Sequence, residues 1–267
     1  MSNAPLLELD ALSVEFPARD GGAATRVVDA VSFAMGQGGT LALVGESGAG
    51  KSITGLAIMR LVPWPGWITG GAVRWKGEDV AAYSKRRLRE FRGAEVAMIF
   101  QEPSAMMNPV YPIGDQVAEV IRVHRGLSAR DARHEALAML ERVRIADAAK
   151  RYGDYPHQMS GGMLQRVMIA QAMACRPVLL IADEPTTALD AAVQREILEL
   201  LDELQAESGM ALLLITHNLG LVAEMADSVV VMKDGRVAET AAVGDLFARP
   251  ASEYTRSLLA AMPGGGE

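Results

Sequence analysis

Gly45-Glu46-Ser47-Gly48-Ala49-Gly50-Lys51-Ser52 completes a GxxxxGK[ST] pattern, with the apolar run Thr40-Leu41-Ala42-Leu43-Val44 before it and a helical pattern, Ile53 to Leu61, after it. A buried strand feeding a glycine-rich turn and then a helix aims several backbone N–H groups and the positive helix end at one point. Glycines at 45, 48 and 50 let the backbone curl round an anion without Cβ clashes. Lys51 is placed to reach the outer phosphates of a nucleotide, and the Ser52 hydroxyl to ligate Mg²⁺. Ordinary residue frequencies produce this pattern by accident in about 1% of chains of this length. With the strand and helix correctly placed, the stretch predicts a nucleoside-triphosphate site.

A second apolar run, Val178-Leu179-Leu180-Ile181-Ala182, ends in Asp183-Glu184-Pro185. Asp183 at the strand end can hold Mg²⁺ through water, opposite Ser52. Glu184 is then placed to polarise an attacking water. Further strands are expected at Leu6–Val14, Val31–Met35, Ala72–Trp75, Val96–Phe100, Ala211–Thr216, Ser228–Met232 and Arg236–Glu239. The runs from Leu41, Val178 and Ala211 are continuously apolar, as central strands covered on both faces must be. Helical patterns at Ile53–Leu61, Val193–Gln205 and Leu219–Met225 follow them, which predicts a parallel α/β core with crossover helices. The strands at Leu6–Val14 and Val31–Met35, divided by the turn signal Asp20-Gly21-Gly22, predict an antiparallel β flap.

Residues from about 102 to 177 read differently. Ile113–Arg125 and Ser128–Val143 are amphipathic, with Leu137, Leu140 and Val143 at helical spacing and Ser128 as N-cap of the second. This block is expected to be a helical insertion. A last helix is expected over Glu253–Ala261, and Gly264-Gly265-Gly266 is expected to fray.

Half of the 267 residues are hydrophobic, enough for a substantial core, and the formal net charge is −7. That balance argues against non-specific nucleic-acid binding. The basic stretch Lys85 to Arg92 reads as a solvated helix face. Cys175, the single cysteine, sits in an apolar helical segment and reads as a core residue in a reducing compartment. The four histidines show no metal-ligand spacing. Glu8 and Asp10 stand where a secretory leader would be apolar, and the apolar runs are too short to span a bilayer.

Taken in order, these motifs resemble the nucleotide-binding subunit of ATP-binding-cassette (ABC) transporters over nearly the whole chain. Gln101 follows the Val96–Phe100 strand, as the family's Q-loop does. Ser160-Gly161-Gly162 matches the signature, Ala188-Leu189-Asp190 the D-loop, and His217 the switch histidine. The resemblance implies a RecA-like P-loop core with an antiparallel β flap and an inserted helical subdomain. As residue ranges it implies one cassette: core 1–101 and 178–240, helical subdomain about 102–177, and C-terminal extension 241–267. It implies ATP and Mg²⁺ as cofactors, with Ser52, Gln101 and Asp183 at the metal. It makes Glu184, His217 and Gln101 catalytic, His217 contacting the γ-phosphate and Gln101 sensing metal or water. Ser160, Gly161, Gly162, Met163 and Asp190 would close over the nucleotide of a second cassette paired head-to-tail. Met163 departs from the usual Gln after the signature glycines. Phe16 resembles the aromatic that stacks on adenine, with a packing role as the alternative.

Within the family, Met98-Ile99-Phe100-Gln101-Glu102-Pro103, Asn108-Pro109 and Tyr155-Pro156-His157-Gln158-Met159-Ser160-Gly161-Gly162-Met163 resemble the peptide and nickel importer branch, as does Tyr254-Thr255-Arg256 near the C-terminus. That branch implies an ATPase on the cytoplasmic face of the cell membrane, bound to transmembrane permease subunits. It also implies a second, non-identical ATPase subunit and, indirectly, an extracytoplasmic solute-binding protein, with no nucleic-acid partner. The cargo (dipeptide, oligopeptide, nickel or metal chelate) is not readable from a cassette. An ATPase of a soluble enzyme assembly, such as that for carbon–phosphorus bond cleavage, is the alternative. The loop Ala105-Met106-Met107-Asn108-Pro109-Val110-Tyr111 is the expected docking surface for the permease, with both methionines supplying adaptable apolar area.

Overall fold

The computed structural model describes residues 4–18, 22–187 and 189–261. The Asp20-Gly21 part of the turn signal, Ala188 and the Gly264-Gly265-Gly266 end lie outside the described residues. In chain order the strands are β1 (Leu7–Phe16), β2 (Thr25–Met35), β3 (Thr40–Val44), β4 (Trp67–Trp75) and β5 (Glu78–Asp79). They continue with β6 (Val96–Ile99), β7 (Leu179–Asp183), β8 (Ala211–Thr216), β9 (Ser228–Lys233) and β10 (Arg236–Ala242). The helices begin with α1 (Lys51–Ile58), α2 (Lys85–Glu90), α3 (Pro103–Met106), α4 (Ile113–Arg125), α5 (Ala129–Arg142) and α6 (Ala148–Arg151). After these come α7 (Gly161–Met173), α8 (Ala191–Ser208), α9 (Leu219–Met225), α10 (Val243–Ala248) and α11 (Glu253–Ala260). The chain forms two compact units, one of residues 1–85 with 211–267, the other of residues 86–210.

In the first unit β2, β1, β4 and β5 form an antiparallel sheet in that order. Leu7 faces Met35 on one side and Trp75 on the other, and Leu9 faces Phe33 and Val73. Strict alternation would then send Leu12 and Val14 to the wrong face, because a side-chain period of two tolerates no odd step. Bulges correct this. Ala11 adopts φ 48° and Ala30 φ 51°, each where the pairing register shifts. Each extra residue resets the face, so Leu12 and Val14 are buried in β1, and Val28 and Val31 in β2. The expected strand from Val31 therefore begins at Thr25, earlier than the sequence pattern shows.

The same unit holds a group of parallel strands as well. β3 pairs with β8, Thr40 against Leu212 through Val44 against Thr216, and on its other side with β9. β10 returns antiparallel to β9. Every residue of β3 and β8 is buried, which explains their uninterrupted apolar sequences. On one face Ala42, Val44, Val229 and Val231 pack with Leu219, Val222 and Leu246, and Tyr254, Leu258 and Leu259 of α11 cover that cluster.

In the second unit β6 and β7 run parallel, Val96 beside Leu179 and Ile99 beside Ala182. Helix α4 buries Ile113, Val117, Ala118 and Ile121, and α5 buries Ala132, Ala136 and Leu140. The buried stripe on α5 therefore starts with alanines and is continued by Leu140 and Val143, while Leu137 is only half-buried. Ser128 accepts the Asp131 amide at 3.2 Å, the expected N-cap, which contributes about 1 kcal/mol. Helix α2 has no buried residue, and Arg86 and Arg87 pair with Glu90 and Glu95, but the expected solvated face stops at Glu90: Phe91 is fully buried and Arg92 leaves helical geometry. Cys175 lies just beyond α7 rather than within a helix, half-buried, because the helix ends at Met173.

Candidate functional site

The phosphate-loop pattern of the first unit leaves the sheet at the C-terminal end of β3. Gly45 is buried, Glu46, Ser47 and Gly48 are exposed, and the chain re-enters at Ala49, Gly50 and Lys51. Two glycines are compulsory here. A Cβ on Gly45, at φ 152°, would lie 2.2 Å from the Met232 carbonyl oxygen, and one on Gly50, at φ 94°, 2.6 Å from that of Val27. Both obstructions are backbone, so no side-chain adjustment relieves them. Lys51, 6% exposed, folds back to donate to the carbonyls of Gly45 and Glu46 at 2.8 and 2.9 Å, keeping its ammonium inside the curl. Helix α1 begins at Gly50 with no side-chain cap and no acidic residue in its first turn. Its first amides have no acceptor within the helix, and they are the groups an anion at this helix end would meet. Ser52 is half-buried in that first turn.

His217 belongs to the same neighbourhood for a reason of register. Val44 pairs with Thr216, so Gly45 and His217 leave adjacent parallel strands side by side. His217 is exposed, and Asn218 after it caps α9 by accepting the amides of Gly220 and Leu221. Phe16, the last residue of β1, is half-buried with its ring against Gly66, where a Cβ would meet it at 2.5 Å.

The second unit repeats the logic. Ile99 pairs with Ala182, so two residues further on Gln101 and Glu184 emerge together from β6 and β7. Gln101 Nε2 donates to Glu184 Oε2 at 3.1 Å, and Thr187 Oγ1 donates to the same oxygen at 2.8 Å. Glu184 holds φ 45°, a left-handed conformation uncommon for a residue with a side chain. Asp183, one residue earlier, is 5% exposed. Thr187 is the residue that sequence reading missed. Its only signal was a second threonine after Pro185, and nothing local shows which way its hydroxyl turns.

Ser160 is the N-cap of α7, accepting the Met163 amide at 3.3 Å. Ser160 and Gly161 are exposed, whereas Gly162 and Met163 are half-buried. A Cβ on Gly162 would come within 2.7 Å of Val193 Cγ1, so this glycine sets how closely α7 approaches the start of α8. Asp190 caps α8, its Oδ1 accepting the amides of Ala192 and Val193 at 3.1 and 3.0 Å.

The loop after α3 is pinned by Gln116, which exchanges hydrogen bonds with the Asn108 backbone at 2.9 Å and donates to the Tyr111 carbonyl at 2.9 Å. Met106, Val110 and Tyr111 are 56%, 72% and 57% exposed, but Met107 is only 3% exposed. The expectation that both methionines line a docking surface is corrected: Met107 anchors the loop from beneath and Met106 alone faces outward. A cleft of about 910 Å³ beside them is lined by Tyr111, Asp115, Glu119, Arg122, Arg133 and Tyr152, among others. No helix among the described residues is long and apolar enough to cross a membrane.

Comparison with known proteins supplies the context. Residues 28–187 match the family model described as ABC transporter. A protein of Brucella abortus (strain 2308), named as a peptide import ATP-binding protein, is 50% identical over 98% of this chain and 79% of its own length. A similarly named protein of Brucella melitensis biotype 1 is 48% identical over 100% of this chain and 80% of its own. Among solved structures, the ATP-binding cassette MJ0796, in a dimeric post-hydrolysis state bound to ADP and Pi, superposes with a TM-score of 0.78. It is 26% identical and covers 89% of this chain and 98% of that one. The protein cbiO1 of Clostridium perfringens, part of the ABC transporter complex cbiONQ, gives a TM-score of 0.74 at 26% identity, covering 92% and 91%.

Proposed function

We propose, because this chain belongs to the ABC transporter family, that it is the ATP-hydrolysing subunit of an importer of peptides. The observation that carries the reading is the Glu184 carboxylate, fixed by Gln101 and Thr187 at the ends of neighbouring parallel strands. In this reading the Glu184 carboxylate draws a proton from the attacking water, while the two donors on Oε2 hold it in one orientation. Lys51 and the α1 amides bind the phosphates, and His217 orients the terminal one. Phe16 contributes a ring for the adenine.

Each unit offers oxygen donors of the kind Mg²⁺ takes, the Ser52 hydroxyl in the first and the Asp183 carboxylate with the Gln101 amide oxygen in the second, and in this reading these would hold the ion. When bound, Mg²⁺ would neutralise charge developing on the transferred phosphate. The residue ranges given above for core, helical subdomain and extension are part of the same reading.

The exposed Ser160-Gly161 start of α7 would serve the nucleotide of a second cassette, with Met163 contributing its amide to the cap and Asp190 holding α8 beside it. The dimeric state of the similar cassette supports that pairing. Permease subunits would dock at Met106, Val110 and Tyr111, holding the chain at the cytoplasmic face of the membrane as a peripheral subunit. A solute-binding protein would act through them. The names of the relatives favour peptides over nickel and over a soluble enzyme assembly. The test is reconstitution in vesicles with its permease and partner ATPase, measuring peptide uptake and phosphate release together. Hydrolysis that neither depends on the assembly nor accompanies uptake would overturn the reading.

A further inference from the structure

The phosphate loop has one neighbour that the reaction as described does not use. The backbone amide of Glu46 donates to the hydroxyl of Tyr254, 208 residues later, at 3.2 Å. Tyr254 lies in the first turn of α11. Its ring is covered by the Lys233 ammonium, 4.8 Å from the ring centre, and packs on the apolar cluster beneath the loop. Burial, with Glu46 and Asp234 charges nearby, raises the phenol pKa, so the hydroxyl stays neutral. The start of α11 is fixed in turn. Glu239 on β10 accepts the amides of Ala251 and Ser252 at 2.8 and 2.9 Å. Ser252 Oγ then caps α11 by accepting the Thr255 amide at 2.9 Å. These hydrogen bonds and packing contacts form one chain from β10 through α11 to the exposed crest of the loop. On the loop's other side the β9–β10 turn is fastened by the Gly235 amide, which donates to the Ala49 carbonyl at 3.2 Å.

We infer that α11 is a strap over the phosphate loop and that Tyr254 is a positioning residue for nucleotide binding. The inference rests on the ATP-binding reading above and assigns a new element to it. The loop must hold several amides convergent before an anion arrives, and its crest at Glu46, Ser47 and Gly48 is exposed. A hydroxyl that accepts the Glu46 amide removes one freedom from that crest, so less ordering remains to be done on binding. Tyr254 touches no reacting atom. Its contribution therefore falls on affinity, not on the rate of the bound complex.

The test is Tyr254→Phe in the full chain, with ATP affinity measured by calorimetry and turnover measured in the assembled transporter. The phenyl ring keeps the packing and the Lys233 contact and loses only the acceptor. The expected result is a rise in the ATP Kd and KM of about threefold to tenfold, the range for one hydrogen bond, with kcat within about twofold of the parent. Glu239→Ala, which unhooks the start of α11, should raise Kd in the same direction. The double variant should be no weaker than the weaker single, because both cut one chain of contacts. An unchanged Kd for Tyr254→Phe, or additive effects of the two substitutions, would overturn the strap. A lower melting temperature without a change in Kd would reduce Tyr254 to packing and overturn it equally. If the parent chain itself fails to bind ATP, the ATP reading falls, an outcome separate from either.

Discussion

Replacing Glu184 by Gln separates chemistry from architecture with unusual economy. Glu184 Oε2 receives both the Gln101 amide at 3.1 Å and the Thr187 hydroxyl at 2.8 Å. The amide oxygen of a glutamine can accept both, so neither neighbour is orphaned. The backbone at φ 45° is no harder for Gln than for Glu, since both carry the same Cβ. What disappears is the basicity. A positioned general base contributes about 10²–10⁴-fold, which is about 3–5 kcal/mol of activation free energy. Steady-state phosphate release by the assembled complex should fall by that factor. Equilibrium ATP binding should change by less than about twofold, because Lys51 and the α1 amides are untouched. Turnover within about threefold of the parent would refute the base assignment. A parallel collapse of ATP binding would refute the claim that the substitution leaves the site's geometry intact.

Gly45→Ala should abolish high-affinity ATP binding and lower the melting temperature, since its Cβ would lie 2.2 Å from a carbonyl oxygen. Strain of this kind costs about 1–3 kcal/mol, and calorimetric binding at parental affinity would contradict the geometry. Burial, helped by Asp115, pushes the Tyr152 phenol from 10.0 up to about 12. The unfolded chain then ionises first, so this contribution is complete below pH 10 and is lost as pH rises through about 12. Melting temperatures for Tyr152→Phe should fall less steeply over that window than those of the parent, and parallel curves would sink the assignment. Met106→Asp should weaken capture by the permease while leaving ATP binding by the isolated subunit unchanged, because this side chain is 56% exposed. Pull-down of the permease at parental yield would place docking elsewhere.

The strands and the loop were legible because each is a local pattern. Thr40 to Val44 and Ala211 to Thr216 are apolar throughout since both faces are covered, and periodicity needs nothing more. The start of β2 was missed for a physical reason: Ala30 is a bulge, and a bulge breaks the alternation by which a strand is recognised. At the site, Gln101 and Glu184 were each identifiable as strand-end residues. Their meeting across 83 residues depends on a register that no local window contains. Thr187 and Tyr254 were silent for the same reason, as their meaning lies in where their hydroxyls arrive. Met107 was misplaced because a loop methionine looks the same whether it faces outward or down.

The glycines at 45 and 162 predict different genetics. At Gly45 the obstruction is a carbonyl oxygen of Met232, a backbone atom present whatever residue occupies position 232. No second substitution in the chain can remove it. At Gly162 the obstruction is a methyl group of Val193, which a replacement by Ala would take away. A screen for revertants should therefore recover changes at position 193 from a Gly162→Ala parent, and from a Gly45→Ala parent only restoration of the glycine codon itself.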